Sequence, residues 1–258
     1  MLAEERRQLL LDHLEREGRL VAKEVADRFG LSVDSIRRDL AILEEQGLLK
    51  KTYGGAIPAT QVRILPQPEP IRYGEGMPHQ NAISKLAVSY LNEGDSVFIG
   101  GAGIQFGMLR YIPRTLKLTI VTNSLKIAQT IREWDNVESY LIGGKLSASS
   151  GNITDTLAIE QVRRFSFDVG FFTGGGLTAR GISTATPAGA SFARAQCDVS
   201  RKRIGLIPHE KLGTDMFAHS FEASRLDTLI TDDRAPRDLL DELEALGIEV
   251  RIVAPEAP

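Results

Sequence analysis

Cys197 is the only cysteine in this chain of 258 residues. No intrachain disulfide can form, and no cysteine zinc cluster can be assembled. The helical pattern around that thiol makes it structural rather than nucleophilic. No apolar run approaches the roughly 20 residues that a membrane-spanning helix needs. The opening MLAEERRQLL is too charged for a secretory signal. The expected location is the cytoplasm, with no membrane partner. A large net charge of either sign is also lacking, since the formal net charge is −3. No broad basic surface advertises a polyanion, so any nucleic-acid contact must rest on a few well-placed cations. Internal repeats and low-complexity tracts are missing too. The run GGAGIQFG at 100–107 is neither a Walker A motif nor a dinucleotide fingerprint. Its third glycine falls one residue late and no Lys-Ser/Thr follows, which excludes nucleotide hydrolysis. No cofactor and no metal are expected.

What is present divides in two. Pro58, Pro66, Pro68, Pro70 and Pro78 are five of the chain's eleven prolines. Such density favours an extended spacer over packed structure. The expected organisation is an N-terminal domain over 1–57, a proline-rich linker over 58–79 and a second domain over 80–258.

The N-terminal domain carries the sharper signal, in VAKEVADRFGLSVDSIRRDLAILEEQGLLKKTYGGA at 21–56. Val21, Val25, Ala26 and Phe29 recur at i, i+4, i+5 and i+8, one apolar face of a short helix. Gly30 supplies its stop, and Ser32 is placed as the N-cap of the next helix. That second helix buries Ile36, Leu40 and Leu43, leaving Asp34, Ser35, Arg37 and Arg38 on the opposite side. A helix held by its back, with guanidinium groups near its N-terminal end, fits a DNA major groove. Lys50, Lys51, Thr52 and Tyr53 then lead into Gly54 and Gly55, a turn able to adopt positive φ. The expected product is a hairpin wing whose lysines follow the phosphates. Residues 1–57 hold ten basic and eleven acidic side chains. The acids Glu4, Glu5, Asp12, Glu15 and Glu17 crowd the first helix, away from the groove face.

The run SVDSIRRDLAILEEQGLLKKTYGGA resembles the DNA-binding signature of the DeoR/GlpR-type bacterial transcription regulators. The resemblance implies a winged helix-turn-helix on double-stranded operator DNA. Ser32, Asp34, Ser35, Arg37 and Arg38 would face the duplex from the helix, and Lys50, Lys51 and Tyr53 from the wing.

From residue 80 onward, helical stretches near 80–92, 104–111, 123–133, 155–164, 187–200 and 235–246 alternate with strand-like runs. The runs cover 96–100, 118–122, 137–142, 168–173, 203–207, 228–231 and 249–253. This alternation predicts an α/β domain with a mainly parallel sheet covered on both faces. Ligands of such sheets bind at the strands' carboxyl ends. Four ends here are glycine- or hydroxyl-rich. They hold Gly101, Ala102, Gly103 and Ile104; Asn123 and Ser124; Gly144 and Lys145; and Gly175. His209 and Lys211, in IPHEKLG, add donors. The set suits a small anionic metabolite of phosphosugar size.

VTNSLKIA, LIGGKL, FFTGGGLTARGIST and LDTLITD resemble the effector domain of DeoR-type regulators, similar in fold to ribose-5-phosphate isomerases and CoA transferases. Several polar positions depart from that pattern. The DSGTT-like phosphate turn is replaced by Gly100, Gly101, Ala102, Gly103 and Ile104. A GADG-like turn is replaced by Thr173, Gly174, Gly175 and Gly176. A glutamate and lysine give way to the neutral run 188–193, and Pro208 stands where an aspartate precedes the HSK-like motif. An isomerase needs a carboxylate to move a proton, and the matching acids are missing.

Together these features predict a repressor of a carbohydrate-catabolism operon, controlled by a small phosphorylated metabolite and acting as a dimer or tetramer. The competing readings are a sugar-phosphate isomerase with an accessory helical domain and a ligand-blind DNA-binding oligomer.

Overall fold

The computed structural model describes residues 3–17, 19–58 and 72–255. The chain divides into two compact units, Met1–Leu65 and Pro66–Pro258. Most of the expected proline-rich linker, 59–71, lies outside the described residues. Pro78, its last proline, instead opens a helix at the first-turn position, where a missing N–H costs nothing.

The first unit runs α1 (Ala3–Glu17), β1 (Leu20–Val21), α2 (Ala22–Phe29), α3 (Val33–Glu45), β2 (Leu49–Thr52) and β3 (Gly55–Pro58). Leu10, Leu14, Leu20, Val25, Ile36, Leu40, Leu43 and Leu49 share one buried core. Val21 is not helical, contrary to the periodic reading. It pairs with Gly55 in a three-stranded sheet ordered β1-β3-β2, the extended backbone its branched side chain favours. Helix α2 therefore starts at Ala22, whose N–H donates to Gly54 O at 2.9 Å. It ends at Gly30, with φ 66°, where Leu31 N–H reaches back to Ala26 O at 2.9 Å. The β2–β3 turn also differs from expectation. Neither Gly54 nor Gly55 adopts positive φ. Glycine is needed at 55 for a different reason, since a Cβ there would lie 1.7 Å from Leu20 O.

The second unit is built on seven strands, β4 (Ser96–Phe98), β5 (Leu118–Thr122), β6 (Val137–Leu141), β7 (Phe167–Phe172), β10 (Ser200–Leu206), β12 (Thr228–Asp232) and β13 (Glu249–Val253). Their order is β13-β12-β10-β7-β4-β5-β6, and every pairing is parallel. All seven carboxyl ends therefore share one rim. Alternation along β4 shows how both faces are covered. Val97 and Ile99 join the core beneath α4 (Pro78–Val88), α5 (Gly103–Met108) and α6 (Leu125–Ile131), while Phe98 faces α7 (Thr156–Val162) and α8 (Pro187–Asp198). Helix α9 (Arg237–Ala245) closes the β12 side, packing Leu240 and Leu243 near Cys197. That thiol is fully buried, and burial pushes its pKa up to about 11, so it is held protonated.

A smaller antiparallel sheet was not foreseen. Strands β8 (Gly176–Thr178), β9 (Gly181–Thr184) and β11 (Ala218–Phe221) order as β11-β9-β8. Strands this short, opened by glycine, read locally as a turn. Among the described residues, no helix is long and apolar enough to cross a membrane.

Candidate functional site

Helix α3 presents its two faces as the pattern demands. Ile36, Leu40 and Leu43 are buried, and Asp34, Arg37 and Arg38 are exposed. Ser32 caps the helix, its Oγ accepting from Ser35 N–H at 3.2 Å and meeting Ser35 Oγ at 2.9 Å. Both serines thus fix the helix start while remaining at the surface. Arg37 lies 3.5 Å from the Asp34 carboxylate, and Arg38 Nε donates to Asp34 O at 3.4 Å. Asp34 therefore orients both guanidinium groups on the exposed face.

Sequence reasoning missed Asp39, the buried acid within IRRDL. Its carboxylate accepts from Arg6 Nε at 2.5 Å and lies 3.7 Å from Arg7. This pins α1 against α3, and the hydrogen bond to Asp39 raises the Arg6 pKa. No local spacing announces the pair, because the partners are 33 residues apart.

On the wing, Tyr53 is fully exposed at the turn, and Lys50 is exposed on β2. Lys51 differs, since its N–H donates to Glu44 Oε1 at 2.8 Å and its ammonium lies 3.8 Å from Glu44 Oε2. The two lysines should therefore behave unequally on DNA. Lys50→Ala is expected to flatten the salt dependence of DNA affinity by about one unit of slope. Lys51→Ala should do so by less, because Glu44 already neutralises that charge. Anisotropy titrations across a salt series measure both, and equal losses would mean that Lys51 leaves Glu44 on binding.

In the second unit, a cavity of about 150 Å³ opens where β4, β5 and β7 end. The chain leaves β4 for β5 and β6 on one side and returns through β7 on the other. This is the topological switch point where open parallel sheets leave a crevice. Phe98, Phe171, Phe172 and Phe192 form its apolar walls, with Gly101, Ala102 and Asn123 at the strand ends. Thr173, from the replaced GADG-like turn, and Gln105, Asn152 and Gln196, which sequence reasoning did not single out, supply the remaining polar groups.

Their orientations are fixed from behind. Gln105 Nε2 and Gln196 Nε2 both donate to Phe171 O, at 2.7 and 3.1 Å, and Asn123 Nδ2 donates to Ile153 O at 2.9 Å. Asn123 Oδ1, Asn152 Oδ1, Ser124 Oγ and Thr173 Oγ1 are buried without a hydrogen-bond partner. A Cβ at Gly101 would lie 1.8 Å from Asn152 Oδ1 and 2.8 Å from Ser124 Oγ, so these atoms crowd the same strand end. Unsatisfied buried oxygens each cost about 1–3 kcal/mol, and a ligand rich in hydroxyl donors would recover that cost.

The other sequence-derived candidates are spread along the rim. Gly103 packs against the Arg72 carbonyl, and Ile104 is buried in the core beneath α4. Gly144 and Lys145 are exposed in the loop after β6 and do not line the cavity. Gly175 donates to Ser183 O within the smaller sheet and meets Met216.

His209 and Lys211 belong to a one-turn 3-10 helix (His209–Lys211) after β10 and also stand apart from the cavity. His209 Nδ1 lies 2.8 Å from Asp232 Oδ1, and that carboxylate raises the imidazole's pKa against the opposing effect of burial. Burial raises the carboxyls of Asp232 and Glu210, but the facing imidazoles and N–H groups outweigh it and hold each at about 2. Burial around the Lys211 ammonium lowers its pKa, with Glu210 acting in the opposite sense. A cation on Arg72 stands closer to the cavity's loops. Arg72 NH2 donates to Ser150 O at 2.5 Å, and Tyr73, stacked on its guanidinium, donates to Gly101 O at 3.0 Å.

Known proteins match both units. Residues 6–62 match the DeoR-like helix-turn-helix domain, and residues 77–233 match the DeoR C terminal sensor domain. The HTH-type transcriptional repressor GlcR of Bacillus subtilis (strain 168) is 28% identical, covering 98% of this chain and 97% of that protein. A putative aga operon transcriptional repressor of Escherichia coli O157:H7 is 27% identical, covering 96% of this chain and 93% of that one. Among solved structures, ribose 5 phosphate isomerase A from Neisseria gonorrhoeae aligns at TM-score 0.36 and 13% identity, over 55% of this chain and 56% of that chain. With both domain matches in order along a sequence aligned almost end to end with such repressors, this chain belongs to the DeoR family of transcription regulators.

Proposed function

We propose that this regulator represses a carbohydrate-catabolism operon and is released from its operator by a small phosphorylated polyol bound at the switch-point cavity. Arg37 and Arg38 read base edges in the major groove, Ser32, Asp34 and Ser35 shape that helix end, and Lys50, Lys51 and Tyr53 hold the flanking backbone. One recognition helix covers one half-site, so the working unit is a homo-oligomer.

The observation that carries the ligand reading is the set of buried, unpartnered oxygens on the cavity-lining Asn123, Asn152 and Thr173. They stand in for the family's missing carboxylates as acceptors of ligand hydroxyls. A volume of about 150 Å³ falls below the roughly 300–1,000 Å³ of pockets that enclose a whole ligand. The cavity therefore takes a few hydroxylated carbons, and the phosphate lies at the mouth near Arg72. Among the described residues the cavity lining includes no Asp, Glu, His or Lys, so none of them offers an acid or base to move a proton. This supports binding over turnover.

Thr173→Val tests the proposal, because it removes an unpartnered hydroxyl and nearly conserves volume. Calorimetry against a panel of phosphosugars should find one binder for the wild-type protein and about five- to tenfold weaker binding by the variant. Thermal stability should hold or rise, since a buried unsatisfied group is gone. Unchanged affinity would move the ligand elsewhere, and turnover of any phosphosugar would favour the isomerase reading.

A further inference from the structure

Four potential metal ligands from three separate segments converge at the rim of the sheet, and neither the DNA-binding nor the cavity reading uses them. His79 stands in the first turn of α4, His209 and Glu210 in the turn after β10, and Asp232 at the end of β12. One ligand atom from each lies within 4.8 Å of all the others. His79 is 6% exposed and Asp232 is fully buried.

The contacts are close. His79 Nε2 and His209 Nδ1 each lie 3.3 Å from Glu210 Oε2, and His209 Nδ1 lies 2.8 Å from Asp232 Oδ1. Even so, His79 Nε2, His209 Nδ1 and Glu210 Oε2 have no hydrogen-bond partner of acceptable geometry. The two imidazole nitrogens and the two carboxylates are thus gathered in one small cluster. Other atoms of the same groups are firmly held. Gln80 Nε2 donates to Glu210 Oε1 at 2.8 Å, and His209 N–H donates to Asp232 Oδ2 at 2.8 Å.

We propose that His79, His209, Glu210 and Asp232 form a binding site for a first-row divalent cation of the Zn²⁺ type, clamping the start of α4 to the sheet rim. Donor chemistry selects the class. Two imidazole nitrogens with two carboxylates suit zinc and its neighbours, whereas Mg²⁺ and Ca²⁺ require oxygen ligands throughout. Geometry agrees, since ligands about 2.1 Å from a tetrahedral ion stand about 3.4 Å from one another. The two 3.3 Å separations are already at that value, the 2.8 Å pair would open slightly, and the wider separations, within 4.8 Å, would close on the ion. Charge also balances, because a dication with two neutral imidazoles cancels two carboxylates in a site largely shielded from water. Four protein ligands leave no open position, so the role is structural.

The test uses the full chain, stripped with EDTA, dialysed and titrated with Zn²⁺ against a chromophoric chelator. The result expected is one tight equivalent per chain, with no response to Mg²⁺. Co²⁺ in its place should give the intense visible bands of a tetrahedral site. At a hundredfold excess over Kd, Zn²⁺ should raise the Tm by about 5–10 °C. Asp232 also orders backbone N–H groups and its replacement risks misfolding, so the informative variants are His79→Gln and His209→Gln. Each should lose more than about 100-fold in Zn²⁺ affinity, and the Tm rise should vanish. The proposal is overturned by failure of the stripped wild-type chain to take up one equivalent. It is equally overturned if both variants keep wild-type affinity, which would place the ion on His13, His219 or Cys197. An NMR signal for a His209 proton shared with Asp232 that Zn²⁺ leaves unchanged would make the cluster a hydrogen-bonded network instead.

Discussion

Replacing Arg37 and Arg38 together with alanine is expected to abolish specific operator binding while leaving the fold intact. Both side chains lie on the exposed face of α3, opposite Ile36, Leu40 and Leu43, so their removal opens no cavity in the core. Among the described residues both are tied to Asp34, at 3.5 Å for the Arg37 ion pair and 3.4 Å for the Arg38 hydrogen bond. An exposed pair of that kind contributes at most about 1 kcal/mol to stability. A good base contact contributes about 1–3 kcal/mol to discrimination. Losing two should weaken the specific complex by roughly thirtyfold to more than a thousandfold, toward the affinity for random DNA. Anisotropy on operator and scrambled duplexes at one fixed salt concentration measures the difference. Wild-type discrimination in the double variant would take the reading role away from α3.

The opposite pattern is expected at Asp39, one position further along the same helix. Asp39→Ala removes the shared partner of Arg6 and Arg7 from a site where the carboxylate side chain is 4% exposed and the Arg6 side chain 16%. Breaking a buried pair by deleting one member costs about 3–5 kcal/mol, because the remaining charge is left without compensation. That is a large share of the stability of so small a unit. Urea denaturation followed by circular dichroism should show the helix-turn-helix unit melting early, with DNA binding lost as a consequence. Should Asp39→Ala unfold at the wild-type midpoint, the Arg6–Asp39 contact contributes nothing net. Adjacent residues in IRRDL are thus expected to separate, the arginine substitutions acting on DNA affinity and the aspartate substitution on folding.

That separation marks where sequence alone stopped being informative. The buried stripe Ile36, Leu40 and Leu43, the Ser32 cap and the Gly30 stop depend on neighbours within a turn or two, and all were legible. The central parallel strands β5, β7 and β12 were legible too, because a strand buried on both faces is apolar along most of its length. What needed distant partners was not. Val21 left its helix for a two-residue pairing with Gly55. Gly176 and Gly181 open two short strands of a second sheet that was not foreseen. The cavity's amides come from α5, α8 and the loop carrying Asn152, and no spacing in the chain announces that Gln105 and Gln196 meet at one carbonyl. His209 and Lys211 kept the look of an anion site in sequence. The fold turns His209 toward His79, Glu210 and Asp232 instead, and this juxtaposition carries the proposed cation site.

The most direct measurement is an anisotropy titration of the full chain onto the DNA upstream of its own gene, with and without each member of a phosphosugar panel. The account predicts binding at least about a thousandfold tighter than to random DNA. One phosphosugar should weaken it at least tenfold, with a reduced response in Thr173→Val. Equal affinity for upstream and random DNA, or specific binding that no member of the panel alters, would contradict it.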